Sequence, residues 1–189
     1  MSLLKGYADD LPLMEWLSQH IWPAEQQWVR PDFVQLGSQL AMAEMIRGGT
    51  TTFNDMYFFP EATAKAATEA GLRANIGMTV LDFPTHYAAN ADAYIQKGLQ
   101  CFDQFKHHPL LRFSFAPHAP YTVSDEPLKR VHTLAEELDL TIHMHVHETE
   151  QEIKDAIAQS GKRPLQRLQD LGLLSPRFMA VHMTQLTEA

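Results

Sequence analysis

The chain has 189 residues, of which 45% are hydrophobic and 20% charged, so it is large enough for one domain with its own core. Its net charge is −8 and its lysines and arginines are not clustered, which excludes nucleic acid as an expected partner. No apolar run approaches the roughly 20 residues that span a bilayer. Cys101 is the only cysteine, which rules out an intrachain disulfide, and no signal-peptide pattern is present. We therefore expect a cytoplasmic protein with no membrane partner.

Strand and helix patterns alternate along the chain, after an opening that we expect to be irregular up to Pro31. About five β–α units with short connections favour a parallel sheet with helices outside it. The patterns G-x-G-x-x-G and G-x-x-x-x-G-K-[ST] are absent, so nothing favours a dinucleotide or phosphate-loop protein. A doubly wound sheet and part of a (β/α)8 barrel both remain open, and five units are too few to close that barrel. The predicted strands are 50–56, 74–81, 111–116, 141–147 and 178–183, and the predicted helices are 32–46, 61–70, 91–106, 124–138, 149–159 and a shorter one after Pro164.

The run T-I-H-M-H-V-H-E carries the strongest chemical signal. His143, His145 and His147 alternate with apolar residues, which predicts three imidazoles on one face of a strand. Imidazole is a common ligand of transition metals, and the carboxylate of Glu148 could move protons beside such an ion. His145 is the best ligand candidate and His143 is expected in the core, whereas His147 is left open between a supporting role and exposure. For Glu148, proton transfer and a carboxylate stabilised by a helix N-terminus are both open.

Other polar residues are predicted to lie at the carboxyl ends of strands. His118 lies between two prolines, which hold it stiffly, and either a substrate contact or an ordinary turn histidine fits that place. His182 lies in the last apolar strand, where a metal ligand, a substrate contact and a core histidine are all open. For Asp55 and Tyr57 a structural role at a barrel rim is favoured over catalysis. The remaining histidines are expected to be solvated: His20, His86, His107, His108 and His132.

Taken together, these segments resemble the amidohydrolase superfamily. The similar branch is the one that contains 5-methylthioadenosine/S-adenosylhomocysteine deaminases and the triazine hydrolases of the N-ethylammeline and atrazine chlorohydrolase type. The ordered set covers essentially the whole chain and is specific, although no single motif in it would be. The matching segments are G-Y-A-D-D-L-P-L-M-E-W-L at 6–17, I-W-P-A-E at 21–25, G-G-T-T-T-F-N-D-M-Y at 48–57, A-P-H-A-P-Y at 116–121, H-V-H-E-T at 145–149 and A-V-H-M-T at 180–184.

The resemblance implies a metal-binding (β/α)8 barrel and a role for five residues. His145 matches the metal ligand on the fifth barrel strand, and Glu148 matches the proton-shuttling glutamate. His182 matches the catalytic histidine on the sixth strand, which faces the metal and the substrate. His118 matches a substrate-contacting histidine, and Glu25 matches a glutamate that binds the nucleoside sugar. The implied cofactor is a divalent metal, zinc in the first place and iron as the alternative.

The implied activity is hydrolysis of a C–N bond other than a peptide bond. The expected small-molecule substrate is an amino-purine nucleoside such as methylthioadenosine, or an amino-triazine. The arginines that grip the carboxylate of S-adenosylhomocysteine in some members have no counterpart, because Met78 stands at one such place and the loop 82–93 contains no arginine. This weighs against S-adenosylhomocysteine as a substrate.

The chain also departs from the family pattern at its two ends. The H-x-H pair of the first barrel strand, strands seven and eight with their aspartate ligand, and the small β-sandwich all lack a counterpart. Residues 1–189 are therefore interpreted as an incomplete amidohydrolase barrel domain that covers about strands two to six, an internal fragment. We expect the isolated chain to bind zinc weakly or not at all, to lack hydrolytic activity, and to form homo-oligomers or self-associate through its open sheet edges. The rival hypothesis is a non-catalytic remnant or self-associating fragment without hydrolytic activity.

Overall fold

Five parallel strands organise the part of the chain described by the structure, a computed structural model of residues 2–187. Their spatial order, β1-β2-β3-β4-β5, is also their order along the chain. The strands are β1 Thr52–Tyr57, β2 Arg73–Val80, β3 Leu111–Pro117, β4 Thr141–Val146 and β5 Phe178–His182. The helices are α1 Leu13–Trp16, α2 Trp22–Trp28, α3 Pro31–Arg47, α4 Pro60–Ala70, α5 Ala91–Phe105, α6 Asp125–Leu138, α7 Glu150–Ser160 and α8 Pro164–Asp170, with a 3-10 turn at Ser2–Leu4 and a π-helical segment at Leu17–Ile21.

The strand order distinguishes between the two architectures left open by the sequence. A doubly wound sheet reverses its strand order at a switch point, whereas a barrel adds each new strand on the same side. The sheet also curls, because Asn54 of β1 reaches across its concave face. The Asn54 amide nitrogen lies 3.3 Å from His143 Nδ1 on β4 and donates to Met179 Sδ on β5 at 3.2 Å. The five strands therefore form an arc of a barrel wall.

Beyond residue 30, the helices and strands follow the predicted ones within about two residues, but the predicted irregular opening is wrong. Residues 13–28 are almost entirely helical. The missed signal is the spacing of Leu13, Trp16, Leu17 and Ile21, which recur at intervals of three and four and so share one helix face. Leu17 and Ile21 are buried at 8% and 1% exposure, so this face packs on the rest of the molecule.

The main core lies between the convex face of the sheet and the helices. Ile76 and Met78 of β2 and Met144 of β4 are fully buried. Helix α5 lies so close to β2 that a Cβ atom added to Gly98 would be 2.8 Å from Met78 Cβ. The Met78 side chain therefore packs against a helix. No helix within residues 2–187 has the length and apolar character needed to cross a bilayer.

Candidate active site

A cavity of about 610 Å³ lies at the carboxyl ends of the strands. One side of it is apolar and comes from the helical opening and from the loop after β2. The other side is polar and comes from the ends of β1, β3 and β4, and Glu25 of α2 adds a carboxyl group to the lining. The polar lining includes Glu25, Tyr57, His118, His145 and Glu148, and the apolar lining includes Trp16, Leu17, Ile21, Trp22, Val29, Leu81 and Phe83.

His145, the fifth residue of β4, has its ring fixed by a backbone contact. Its Nδ1 lies 3.0 Å from the carbonyl oxygen of His118. A carbonyl oxygen can only accept, so Nδ1 carries the proton and Nε2 keeps its lone pair. Burial lowers the pKa of His145, although the contact with His118 and the nearby Glu148 carboxylate act in the opposite direction. The ring therefore has the tautomer that a metal-binding imidazole requires.

His182 and Glu148 lie beside His145 on neighbouring strand ends. The His182 ring stacks on the His145 ring, with centroids 5.1 Å apart and an angle of 23° between the planes. His182 Nε2 lies 3.4 Å from Glu148 Oε1. Strand β5 ends at His182, which has a positive φ of 76°. An imidazole and a carboxylate at this separation form a pair that can exchange a proton.

His118 lies on the turn after β3, and its ring centroid is 5.2 Å from that of His145. Its Nδ1 is 3.0 Å from Thr122 Oγ1. Burial, with a smaller contribution from His145, lowers the pKa of His118 to about 4, so the ring is neutral at pH 7. Arg167 of α8 donates to the carbonyl oxygens of Pro120 and Val123 and so holds this turn from outside.

Glu25 faces the cavity from α2, opposite the histidines. The Tyr57 hydroxyl donates to Glu25 Oε1 at 2.8 Å. Burial raises the pKa of the Glu25 carboxyl, and the hydrogen bond from Tyr57 acts against this effect. Tyr57 was not predicted as a site residue. Its place as the last residue of β1 was the available signal, because functional side chains in such folds lie at the carboxyl ends of strands.

The prediction that three imidazoles share one face of β4 is wrong for His147. The strand ends at Val146, and His147 follows with a positive φ of 55°. Its ring is buried, and Nε2 accepts a hydrogen bond from the backbone of Leu165 at the start of α8. His147 thus caps a helix. His143 is buried at 6% exposure, as its predicted core role requires, and its pKa is lowered to about 4 by burial.

Two other expectations also need correction. Asp55 lies inside β1, where it lines a separate cavity of about 70 Å³ together with Phe33 and Thr63, so it is not a residue of the strand end. His86 is exposed as expected, but it also lines the rim of the large cavity, where its Nε2 contacts the carbonyl oxygen of Gln26.

The imidazoles beside Glu148 are the donors available to the metal that the sequence implies. His145 and His182 present imidazole nitrogens, which suit zinc. Among residues 2–187, no group of three or more His, Cys, Asp or Glu side chains is arranged to hold an ion. The residues present therefore fit part of a zinc site, because a zinc site in a protein uses three or four protein ligands.

Comparison with known proteins assigns the chain to a protein family. The model of the amidohydrolase family matches residues 1–189, and the chain belongs to this family. It is 60% identical over 188 residues to a 5-methylthioadenosine/S-adenosylhomocysteine deaminase of Saccharophagus degradans, and covers 42% of that protein. It is 43% identical to the protein of the same name in Aquifex aeolicus, of which it covers 44%. The chain thus spans about two fifths of the length of these relatives.

Solved structures agree with this assignment. An adenosine deaminase from Xanthomonas campestris with bound zinc superimposes on 98% of the chain with a TM-score of 0.96 and 52% identity, and the chain covers 42% of it. The atrazine chlorohydrolase TrzN from Arthrobacter aurescens, complexed with zinc, gives a TM-score of 0.80 over 90% of this chain and 43% of TrzN. At 21% identity, this second likeness shows the fold alone. The predicted partial (β/α)8 barrel and the resemblance to amidohydrolases are confirmed.

Proposed function

We propose that this chain supplies a large part of the active site of a zinc-dependent aminohydrolase that deaminates an amino-purine nucleoside such as methylthioadenosine. One observation carries the proposal. Side chains from three successive strand ends, His118, His145 with Glu148, and His182, lie beside one another, and the first three line a cavity that Glu25 also lines. The names of the relatives, which refer to deamination of adenine nucleosides, support the same reaction class.

His145 is the residue that we propose to hold the metal, with His182 beside it as the catalytic histidine, and the family likeness favours zinc over iron. Zinc, when bound, supplies Lewis acidity, which makes water a better nucleophile near pH 7. One imidazole is too few for tight binding, and a second from His182 would still leave the ligand set incomplete. The domain proposal follows: residues 1–189 form strands two to six of the barrel, and other segments complete the ligand set. The isolated chain should then neither bind zinc tightly nor hydrolyse the substrate.

The proton transfers are assigned to Glu148 and His182. Water adds to the ring carbon that carries the amino group, and a C–O bond forms as the π bond to the adjacent ring nitrogen opens. That π bond forms again when the bond to the protonated amino group breaks and ammonia leaves. Glu148 takes the proton of the attacking water and delivers it to the departing nitrogen. His182, 3.4 Å from Glu148, assists this transfer. His118 is neutral because its pKa lies far below neutral pH, so its ring stays available for a hydrogen bond to the purine ring of the substrate.

The remaining cavity lining fits a nucleoside with an uncharged tail. The Glu25 carboxylate, held by Tyr57 through one oxygen, has its other oxygen free to accept hydrogen bonds from ribose hydroxyls. Among the described residues that line the cavity there is no lysine or arginine, whereas two carboxylates are present. A carboxylate-bearing tail would meet repulsion there, so a methylthio tail is favoured. Met78 packs against α5 and does not line the cavity, so the residue at this position does not affect the choice of substrate.

A chimeric enzyme tests the proposal. Residues 1–189 would replace the matching segment of the Saccharophagus degradans relative, which is 60% identical. We expect ammonia release from methylthioadenosine that exceeds the release from S-adenosylhomocysteine and from an amino-triazine. A folded, zinc-loaded chimera that releases no ammonia from any of these would overturn the proposal in favour of a non-catalytic remnant.

Two further expectations, weak zinc binding and self-association, concern the isolated chain. Titration calorimetry with zinc should show no sub-micromolar site, and light scattering should show self-association, because the outer edges of β1 and β5 have no strand beside them within residues 2–187. Tight zinc binding would contradict the proposed ligand set. A monodisperse monomer would contradict the proposed pairing through sheet edges.

A further inference from the structure

The turn between β4 and α7 carries Glu148, and a buried carboxylate holds its backbone. Glu152 of α7 is 8% exposed. One of its oxygens accepts from the backbone N–H of His147 at 3.1 Å, and the other accepts from the N–H of Glu148 at 2.7 Å. Consecutive N–H groups that point the same way bind anions, and the positive φ of His147 is a backbone conformation found in such turns.

This arrangement differs from an ordinary capping box. Thr149, the N-cap of α7, accepts from the N–H of Glu152 at 3.2 Å, as such a box requires. In the ordinary box the carboxylate would return to the N–H of the N-cap residue itself. Here it reaches the two residues before Thr149. The Glu152 carboxylate therefore restrains the turn that bears Glu148, while the Glu152 N–H takes part in the N-terminal cap of α7.

A second contact holds the same turn from the opposite side. The Thr184 hydroxyl lies 2.7 Å from the carbonyl oxygen of Glu148 and 3.1 Å from that of His147. The backbone N–H groups of the turn are thus fixed by α7, and its carbonyl groups are fixed by the segment after β5. Since β5 also carries His182, this double attachment ties the two partners of the proposed proton relay to each other.

We infer that Glu152 is a positioning residue, whose buried carboxylate sets the place of the Glu148 carboxylate relative to His145 and His182. This inference rests on the proposed function, because it assigns to Glu148 the proton transfer described above. Glu152 does not line the cavity and so acts through the turn. A misplacement of Glu148 should slow the proton transfer and leave substrate binding intact.

The substitution Glu152→Gln tests this role. Glutamine keeps the size of the side chain, but it presents an NH2 group to one of two N–H donors and so loses one bond of the pair. In the chimeric enzyme we expect kcat to fall by about 10- to 100-fold with KM nearly unchanged, the range found for residues that orient catalytic groups from behind. The matched control is Glu150→Gln, which removes a charge from the same helix turn at an exposed residue that pairs with Lys154. The control should leave kcat unchanged.

A double-mutant cycle separates positioning from a general loss of structure. If Glu152 acts through Glu148, the Glu152→Gln change should cost nothing further in a Glu148→Gln background. Additive losses would overturn the inference, and so would an unchanged kcat in Glu152→Gln.

Hydrogen exchange on the isolated chain gives a readout without activity. The amides of His147 and Glu148 should exchange faster in Glu152→Gln than in Glu150→Gln, whereas the strand amides keep their protection. Equal exchange in both variants would overturn the inference. If the chimera were inactive while exchange changed as expected, the proposed function would fall and the restraint of the turn by Glu152 would stand.

Discussion

The cavity has two walls of different origin, and they differ in how firmly the fold fixes them. The polar wall is built on the ends of paired strands, with His145 held by the carbonyl oxygen of His118 and Glu148 held by Glu152. The apolar wall is built on the helical opening of the chain and on the loop after β2, which are held to each other through contacts such as that of Trp22 with Phe83. The first wall suits chemistry that needs fixed distances, and the second suits the recognition of an apolar group.

Changes in the polar wall should therefore alter kcat, and changes in the apolar wall should alter KM. In the chimeric enzyme we expect the largest effect from a change at Glu148 in the polar wall, and the smallest from a change at Asp55, which lies outside both walls.

Glu148→Gln should produce the largest loss. The amide keeps the shape of the side chain but cannot accept a proton from water, so we expect kcat to fall by about 10²- to 10⁴-fold, with KM changed little. Ammonia release from methylthioadenosine measures both constants. The control Glu126→Gln removes an exposed carboxylate that pairs with Lys129 on α6 and should have no effect. A large rise in KM with kcat preserved would place Glu148 among the binding residues and erase the contrast.

Trp22→Ala should affect the apolar wall, with a smaller and different effect. The loss of the indole removes apolar surface that faces the cavity, so we expect KM for methylthioadenosine to rise by about tenfold while kcat stays within a factor of three. Trp28→Ala is the matched control, because Trp28 lies on the same helix at 58% exposure. A fall in kcat of the size seen for Glu148→Gln would show that the helical wall also sets the reaction geometry.

The strand-end histidines of the polar wall could be predicted from the sequence, whereas the helices of the apolar wall were missed. His145, His118 and His182 were predictable because strand ends in a parallel α/β fold meet at one edge, so strand bounds alone bring them together. The prediction for His147 was wrong because this residue has a positive φ, which turns the chain out of the strand. The alternation of residues in the sequence does not indicate that change.

The apolar wall was missed for another reason. Its periodicity is present at residues 13–21, but prolines at positions 12 and 23 flank this stretch and leave it too short to be recognised as a helix. Tertiary packing of Leu17 and Ile21 stabilises these short helices, and that packing is not visible in local sequence. Contacts between distant segments, such as the bond from Tyr57 to Glu25, likewise depend on the folded chain.

Tyr57→Phe should give a moderate effect at the place where the two walls meet. The change removes the hydroxyl that holds Glu25 and leaves a buried carboxylate without its partner. A hydrogen bond to a charged group contributes about 1.5–3 kcal/mol, so we expect KM for nucleosides to rise by about tenfold or more. Tyr94→Phe is the control, since it deletes a hydroxyl that contacts Thr85 and does not line the cavity. Equal effects of both variants would indicate a general loss of packing.

Asp55→Asn should give the smallest effect, on stability alone, and should set a structural carboxylate apart from the functional Glu148. Burial raises the pKa of the Asp55 carboxyl, while a hydrogen bond from Thr63 acts in the opposite direction. A carboxyl whose pKa is higher in the folded state takes up a proton on folding. Its contribution is therefore most favourable below the ordinary pKa of 3.8 and is lost as the pH rises through the folded value.

At pH 7 the charged form is the costly one, and asparagine relieves that cost. We expect thermal unfolding of the isolated chain to show a higher midpoint for Asp55→Asn than for the parent at pH 7, by about 2–4 °C per kcal/mol of relief, with a smaller difference at pH 4. The same change at exposed Asp103, which pairs with Lys106, should leave the midpoint within a degree or so. A lower midpoint for Asp55→Asn at pH 7 would mean that the ionised carboxylate stabilises the fold. In that case Asp55, like Glu148, would belong to a polar network that uses its charge.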